Sequence, residues 1–270
     1  MEKQYKRVLS IAGSDPSGGA GIQADLKTFS ACGCYGATAI VAVVDENTVG
    51  VTGVHPIPVP FVAGQIKSVL DDIGADAIKI GMLHSSELIC TVKETLSHYN
   101  IKNIVLDPVM VATSGDKLLQ DEAIETLKDE LIPFVRVITP NIPEAEIILG
   151  KKIQTQEDLP LVIKYLSLDR SVSVLLKAGH LTNDELVDVF YNAETDEIIH
   201  LSSKRIKTQN THGTGCTLSS AIAAYLAHGI SLNDAIIKAK EYTNKAILAG
   251  AEYKIGKGHG PVHHFFNFWQ

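Results

Sequence analysis

The chain is poor in cysteine and aromatic residues and has no long uninterrupted apolar run. Four cysteines among 270 residues are too few for a disulfide framework, which points to a reducing, cytoplasmic setting. No window reaches the roughly 20 apolar residues that a membrane-spanning helix needs. Residues 1–7 run straight into a strand-like segment without a signal-peptide layout. Positive charge is also short: 24 Lys and Arg face 31 Asp and Glu, a net charge of −7. That balance argues against nucleic acid or an anionic membrane as partner, while leaving a local anion site possible. Gly-Lys-Ser and Gly-Lys-Thr are absent, so a Walker-type phosphate loop is excluded. Internal repeats, low-complexity tracts and linker-like stretches are missing too. The expectation is one domain over 1–270, with 45% hydrophobic residues to build its core.

Apolar β-rich runs alternate with helical patterns along this background. Strands are expected over 8–12, 38–44, 77–80, 104–106, 135–139 and 172–176. Helices are expected over 22–31, 60–72, 87–99, 123–131, 143–149 and 159–168. The strands are near-continuous apolar runs, the mark of a mostly parallel sheet covered on both faces. Segments 186–191 and 197–201 read as a hairpin, and two helices follow over 217–227 and 232–249. The fold class is therefore α/β, with helices on both faces of a mainly parallel sheet. Polar and Gly-rich segments fall after each strand, at 13–21, 45–50, 81–82, 107–108, 140–141 and 177–180. Ligands of parallel sheets bind at those carboxyl ends.

The segment Thr211-His212-Gly213-Thr214-Gly215-Cys216-Thr217 precedes an apolar helical run. Its glycines let the backbone turn with N–H groups inward, and the helix start adds free donors and partial positive charge. The result is an anion site suited to phosphate. Cys216 is ionisable, and its place at a helix start is expected to lower its pKa. A Gly-rich loop that merely caps an ordinary helix is the competing reading. Gly19-Ala20-Gly21-Ile22-Gln23-Ala24 fits the dinucleotide fingerprint G-x-G-x-x-A, with Asp45 or Glu46 available for a ribose. An NAD-dependent oxidoreductase is thus an alternative. The five residues 14–18 between strand and fingerprint count against it, because the first glycine should close a tight turn directly after the strand.

Several segments taken in order resemble the ribokinase-like small-molecule kinases, and within them the hydroxymethylpyrimidine/phosphomethylpyrimidine kinases of thiamine biosynthesis. They are IAGSDPSGGAGIQADLKTFSACGCYG at 11–36, ENTVGV at 46–51, KIGML at 79–83, VLDPVM at 105–110 and SGD at 114–116. ITPNIPEA at 138–145, LLKAGH at 175–180, NTHGTGCTLSSAIAA at 210–224 and GKGHGPVHHF at 256–265 complete the set. The resemblance implies a ribokinase-like three-layer sandwich that uses ATP and Mg²⁺, acts on a small-molecule hydroxymethylpyrimidine and forms a homodimer. Both the pyrimidine and its monophosphate would be acceptors. Pyridoxal or pyridoxine kinase is the nearest alternative, and a non-catalytic binding protein of the same fold is the alternative of another class.

By the same resemblance, Gly213, Thr214, Gly215 and Cys216 form the anion hole, with Cys216 as catalytic base. Asp107, Lys177, Asn141 and Glu144 serve the nucleotide phosphates. Glu144 would hold Mg²⁺ through water, with Asp107 nearby. Without the resemblance, Asn141-Ile142-Pro143-Glu144 reads as a capped helix start, and both roles can coexist. The acceptor site would use Gly13, Asp25, Glu46, Met82 and Val109, the last two as apolar walls for a flat ring. Asp25 would accept a hydrogen bond from the substrate, or else lie on a solvated helix face. Glu46 stands where the family has glutamine; an ionised carboxylate only accepts hydrogen bonds, whereas an amide also donates. His212 reads equally as a phosphate contact or a structural histidine. Residues 259, 263 and 264 are histidines that would cap the C-terminal segment rather than bind zinc. Cys32, Cys34 and Cys90 are expected in the core.

Overall fold

The computed structural model describes residues 3–110, 121–168 and 170–269. The Ser-Gly-Asp element at 114–116 lies outside them. The first half contains β1 (Arg7–Ala12), α1 (Gly21–Ala31), β2 (Tyr35–Ile40), β3 (Ala42–Asn47), β4 (Gly50–Pro56), α2 (Val59–Asp72), β5 (Ala77–Ile80), α3 (Ser86–Ser97) and β6 (Ile104–Leu106). Next come α4 (Asp121–Thr126), β7 (Val137–Ile138), α5 (Ile142–Leu149), α6 (Leu159–Leu166) and β8 (Ser173–Leu176). The chain finishes with β9 (Glu185–Asn192), β10 (Glu197–Lys204), α7 (Thr214–Ala227) and α8 (Leu232–Gly250).

Eight strands form one sheet in the order β10-β9-β8-β7-β6-β5-β1-β2. Pairing is parallel from β2 to β8 and antiparallel at β9 and β10. The two-residue side-chain period of each strand divides the core into two layers. Leu9, Ile11, Ile78 and Ile80 pack against α2, α3, α5 and α6. Val8, Ala77 and Val105 point the other way, against Phe29 of α1 and the apolar faces of α7 and α8. Burial on both faces is why these strands read as continuous apolar runs.

Local signals set the helix ends. Ser85 accepts the Leu88 amide at the start of α3, and Asn141 with Glu144 forms a capping box at α5. Gly150, at φ 67°, closes α5 in the left-handed conformation. The expected helix over 123–131 is α-helical to Thr126 and then π-helical from Leu127 to Leu131.

The expected strand over 38–44 is two strands. β2 is the half-exposed edge of the main sheet, and the chain leaves it at Val41, whose amide reaches Ala12 O at 3.0 Å. β3 then pairs antiparallel with β4 in a separate two-stranded sheet. The expected loop at 45–50 is therefore mostly hairpin. Ala42 and Val44 are buried while Val43 and Asp45 are exposed, and the exposed valine hides this alternation in the sequence. Cys90 is exposed rather than in the core, since α3 turns Leu88, Ile89 and Val92 inward instead.

α1 joins β1 to β2 on one face of the sheet, and α2 returns the chain to β5 on the other. The strand order reverses at β1 and β5, and a crevice opens at the carboxyl ends of the strands there.

Candidate active site

A cavity of about 630 Å³ occupies that crevice. Gly13, Val44, Glu46, Met82 and Val109 line it at the β1 side. Asp107, Asn141, Glu144, Lys177 and residues 211–216 line its middle, and Leu186, Arg205, Ile206, Lys240 and Asn244 line it toward β9 and β10. Every expected site residue reaches the cavity except Asp25.

The turn at 213–216 is shaped by glycine. Gly213 is the N-cap of α7 at φ 75°, and a Cβ there would overlap the Gly19 carbonyl. Thr214 donates its amide and hydroxyl to Thr211 O, at 3.2 and 2.7 Å. The amides of Gly215 and Cys216 then open the helix with no intrahelical acceptor. A Cβ at Gly215 would lie 3.3 Å from Asp107 Oδ2 and 3.4 Å from Lys177 Nζ, so only glycine lets the turn approach this pair comfortably.

Lys177 Nζ lies 3.0 Å from Asp107 Oδ1, which also accepts from Thr139 Oγ1 at 3.0 Å. Ser219 Oγ approaches Asp107 Oδ2 at 3.4 Å. Burial opposes the charge on Asp107, yet Lys177 and then Lys79 hold its carboxyl below the usual range. Burial equally opposes the charge on Lys177, and Asp107 and Glu144 hold it above the ordinary lysine value. Glu144 differs: burial, with Asp107 adding and Lys177 opposing, pushes its carboxyl up to about 7. Its Oε2 accepts the Asn141 amide at 2.7 Å while Asn141 Oδ1 accepts the Glu144 amide at 2.9 Å. The capping reading of this element thus holds in the cavity wall itself.

The expectation for Cys216 needs correction. Burial pushes its thiol up to about 11; Lys79 opposes this, while Asp25 and Asp107 reinforce it. The helix start does not by itself leave a thiolate in the free site.

Asp25 is neither a cavity residue nor a solvated one. It is fully buried on α1 and pairs through both carboxylate oxygens with Lys79 Nζ at 2.9 Å. α1 faces the sheet and α7 at this turn, so the side chain points inward.

His212 Nε2 lies 2.8 Å from Asp15 Oδ2 and 3.9 Å from Glu46 Oε1. Burial works against its charge, but Asp15 and Glu46 raise its pKa. Asp15, Glu46 and His212 are close enough together to offer a cation three ligand atoms. Asp15 is already committed, accepting from the amides of Ser17, Gly19 and Ala20 and from the Ser17 hydroxyl. Those bonds occupy the Gly19 and Ala20 amides of the loop just ahead of α1, and Ile22 N in its first turn bonds to Gly13 O at 3.0 Å, so amides that a dinucleotide pyrophosphate would need are taken, which counts against the oxidoreductase reading.

Near the C-terminus, His264 Nε2 meets Thr217 Oγ1 of α7 at 3.1 Å, and Tyr242 of α8 donates to His264 O at 2.7 Å. His259 Nδ1 lies 3.2 Å from Gln209 O. These histidines tie the last segment to the domain. Among the described residues they join no metal-ligand cluster.

Two features of the site went unread in the sequence. Asp15 begins an Asp-Pro-Ser-Gly turn, a setting in which a short carboxylate caps its own loop. Lys79 interrupts the apolar strand Ala77-Ile78-Lys79-Ile80, and a buried charge demands a partner.

A mainly parallel sheet between two helix layers, with a glycine turn at a helix start, two buried carboxylates and a lysine at the strand ends, is the arrangement of the ribokinase-like small-molecule kinases. The phosphomethylpyrimidine kinase family model matches residues 15–263. The hydroxymethylpyrimidine/phosphomethylpyrimidine kinase of Rhizobium meliloti (strain 1021) is 46% identical over 263 residues, covering 97% of this chain and 98% of that protein. Among solved structures, phosphomethylpyrimidine kinase from Clostridium difficile 630 is similar at 44% identity and TM-score 0.77, over 89% of this chain and 99% of that one. The ADP complex of Bacillus subtilis pyridoxal kinase is similar at 36% identity and TM-score 0.89, over 98% of this chain and all of that one. The chain belongs to the phosphomethylpyrimidine kinase family.

Proposed function

We propose that this chain acts as one kinase domain that transfers the terminal phosphoryl group of ATP to 4-amino-5-hydroxymethyl-2-methylpyrimidine. The monophosphate is its second acceptor, and the diphosphate enters thiamine biosynthesis. The observation that carries the reading is a single cavity in which the apolar walls Met82 and Val109 adjoin the anion turn, Lys177 and Glu144.

In this reading the ring lies between Met82 and Val109, and Glu46 accepts from its exocyclic amine. The hydroxymethyl group faces Cys216. With Cys216 as the thiolate, its own proton already released to water, the hydroxyl proton passes to the sulfur as the hydroxymethyl oxygen bonds to phosphorus and the bond to the ADP oxygen breaks. The amides of Gly215 and Cys216 and the Lys177 ammonium oppose the charge on the transferred group.

The donors fit a hard cation. Asp107 is engaged by Lys177, Thr139 and Ser219. Glu144, whose burial disfavours its bare charge, would hold Mg²⁺ through water. Bound Mg²⁺ would supply neutralisation of the phosphate charge. A cytoplasmic homodimer completes the proposal.

The likeness to pyridoxal kinase favours one second reading, a pyridoxal-type acceptor. ATP consumption measured with hydroxymethylpyrimidine, its monophosphate, pyridoxine and pyridoxal separates the two.

A further inference from the structure

Lysine is out of place inside a strand covered on both faces. Lys79 lies between Ile78 and Ile80 of β5 and is fully buried on the α1 and α7 side of the sheet. Its register partner across β1 is Ser10. Asp25 of α1 holds the ammonium through both oxygens at 2.9 Å and accepts hydroxyls from Ser10 and from Ser220 of α7, each at 2.6 Å. Ser220 is four residues beyond Cys216, so the two share one face of α7. Lys79 also lines the cavity into which Cys216 opens. The buried pair therefore underlies the turn that carries the sulfur.

We propose that Lys79 is a positioning residue for phosphoryl transfer: an ammonium fixed by Asp25 that stabilises negative charge on the Cys216 sulfur. The inference rests on the reading of Cys216 as base and supplies what that reading lacks, a counter-charge for a buried thiolate. A purely structural role would be served as well by apolar residues, which avoid the desolvation cost of a buried ion pair. Among the described residues, the charged groups facing Cys216 are Lys79 from β5, Asp25 from α1, Asp107 after β6 and Lys177 after β8. On α7 itself the next turn presents only uncharged residues. Of the neighbouring charges, Lys79 weighs most on the thiol, and it acts against burial.

The test is the rate of alkylation of Cys216 by iodoacetamide, read on its own peptide by mass spectrometry in a Cys90→Ser background. Below the thiol pKa this rate follows the thiolate fraction. At about pH 8, Asp25→Asn, which leaves the ammonium without its carboxylate, should alkylate about tenfold faster, and Lys79→Met about tenfold slower. Lys79→Met strands a buried carboxylate. The double variant Lys79→Met/Asp25→Asn keeps the shape without either charge, and it should also alkylate more slowly than the parent. Unchanged rates, or shifts of the same sign in Asp25→Asn and the lysine variants, overturn the proposal, because damage to structure moves all of them alike. Turnover of Cys216→Ala tests the base reading separately, and the alkylation series stands or falls whatever that result.

Discussion

The proposed base role asks that Cys216, a poor acid in the free site, be a thiolate in the complex. Its thiol stands at about 11 before substrates arrive, so proton acceptance depends on the cations gathered around it. Replacing it with alanine should lower kcat for the hydroxymethyl acceptor by about 10²–10⁴, with ADP affinity by calorimetry unchanged. The monophosphate acceptor is largely a dianion near neutral pH, with a second pKa of about 6, and needs no base. Its turnover should therefore fall less, and equal losses in the two steps would remove Cys216 as the base. Gly213→Ala places a side chain at φ 75° against the Gly19 carbonyl. Thermal unfolding should show a loss of about 1–3 kcal/mol or more, together with weaker nucleotide binding. Glu46→Gln adds a donor where only an acceptor stood. It should raise the kcat/KM ratio of hydroxymethylpyrimidine to pyridoxine if Glu46 sets acceptor choice; an unchanged ratio excludes it. Asp25 shows the limit of reading a single residue. Helical spacing alone left solvent or substrate as its surroundings, and the partner that decides the matter is Lys79, 54 positions away.

Elements were legible where burial is two-sided and less so where it is not. β5, β6 and the run opening the chain are enclosed between helix layers, and their apolar runs marked them. The hairpin of β3 and β4 is covered on one face only, and Gly53 and Pro56 diluted its pattern. It nonetheless carries Glu46, beside a register shift between Asp45 and Glu46 that breaks the strand's alternation. The C-terminal segment acts as a clamp on α7 through His264 and Thr217. Burial pushes the His264 imidazole down from 6.5 to about 3. The unfolded chain takes up that proton near the higher value and the folded chain only near the lower one. Stability is therefore lost as pH falls through this window, by about 1.4 kcal/mol per unit from this group. His264→Gln should shift the acid unfolding midpoint to lower pH, followed by circular dichroism, while giving no gain above about pH 8.

At the scale of the whole molecule, the sheet order does the assembling. β1 and β5 are neighbours because α1 and α2 leave on opposite faces. That reversal gathers residues as far apart as Gly13, Asp107, Glu144, Lys177 and Cys216 around one cavity. The alternation of strands and helices made this sheet foreseeable, and the polar segments after each strand marked its active edge. Hydrogen bonds between distant loops were not foreseeable. Asp15 occupies loop amides of the segment that resembled a dinucleotide site, and its bond with His212 fastens that loop to the turn before α7. The sequence likeness runs higher toward a phosphomethylpyrimidine kinase and the structural likeness higher toward a pyridoxal kinase. Acceptor choice therefore bears most directly on the account. The deciding measurement is ATP consumption by the purified protein with Mg²⁺ and each of four acceptors: hydroxymethylpyrimidine, its monophosphate, pyridoxine and pyridoxal. The account predicts turnover of both pyrimidines at kcat/KM above either pyridoxine or pyridoxal. Consumption confined to pyridoxine and pyridoxal, or absent with all four, would contradict it.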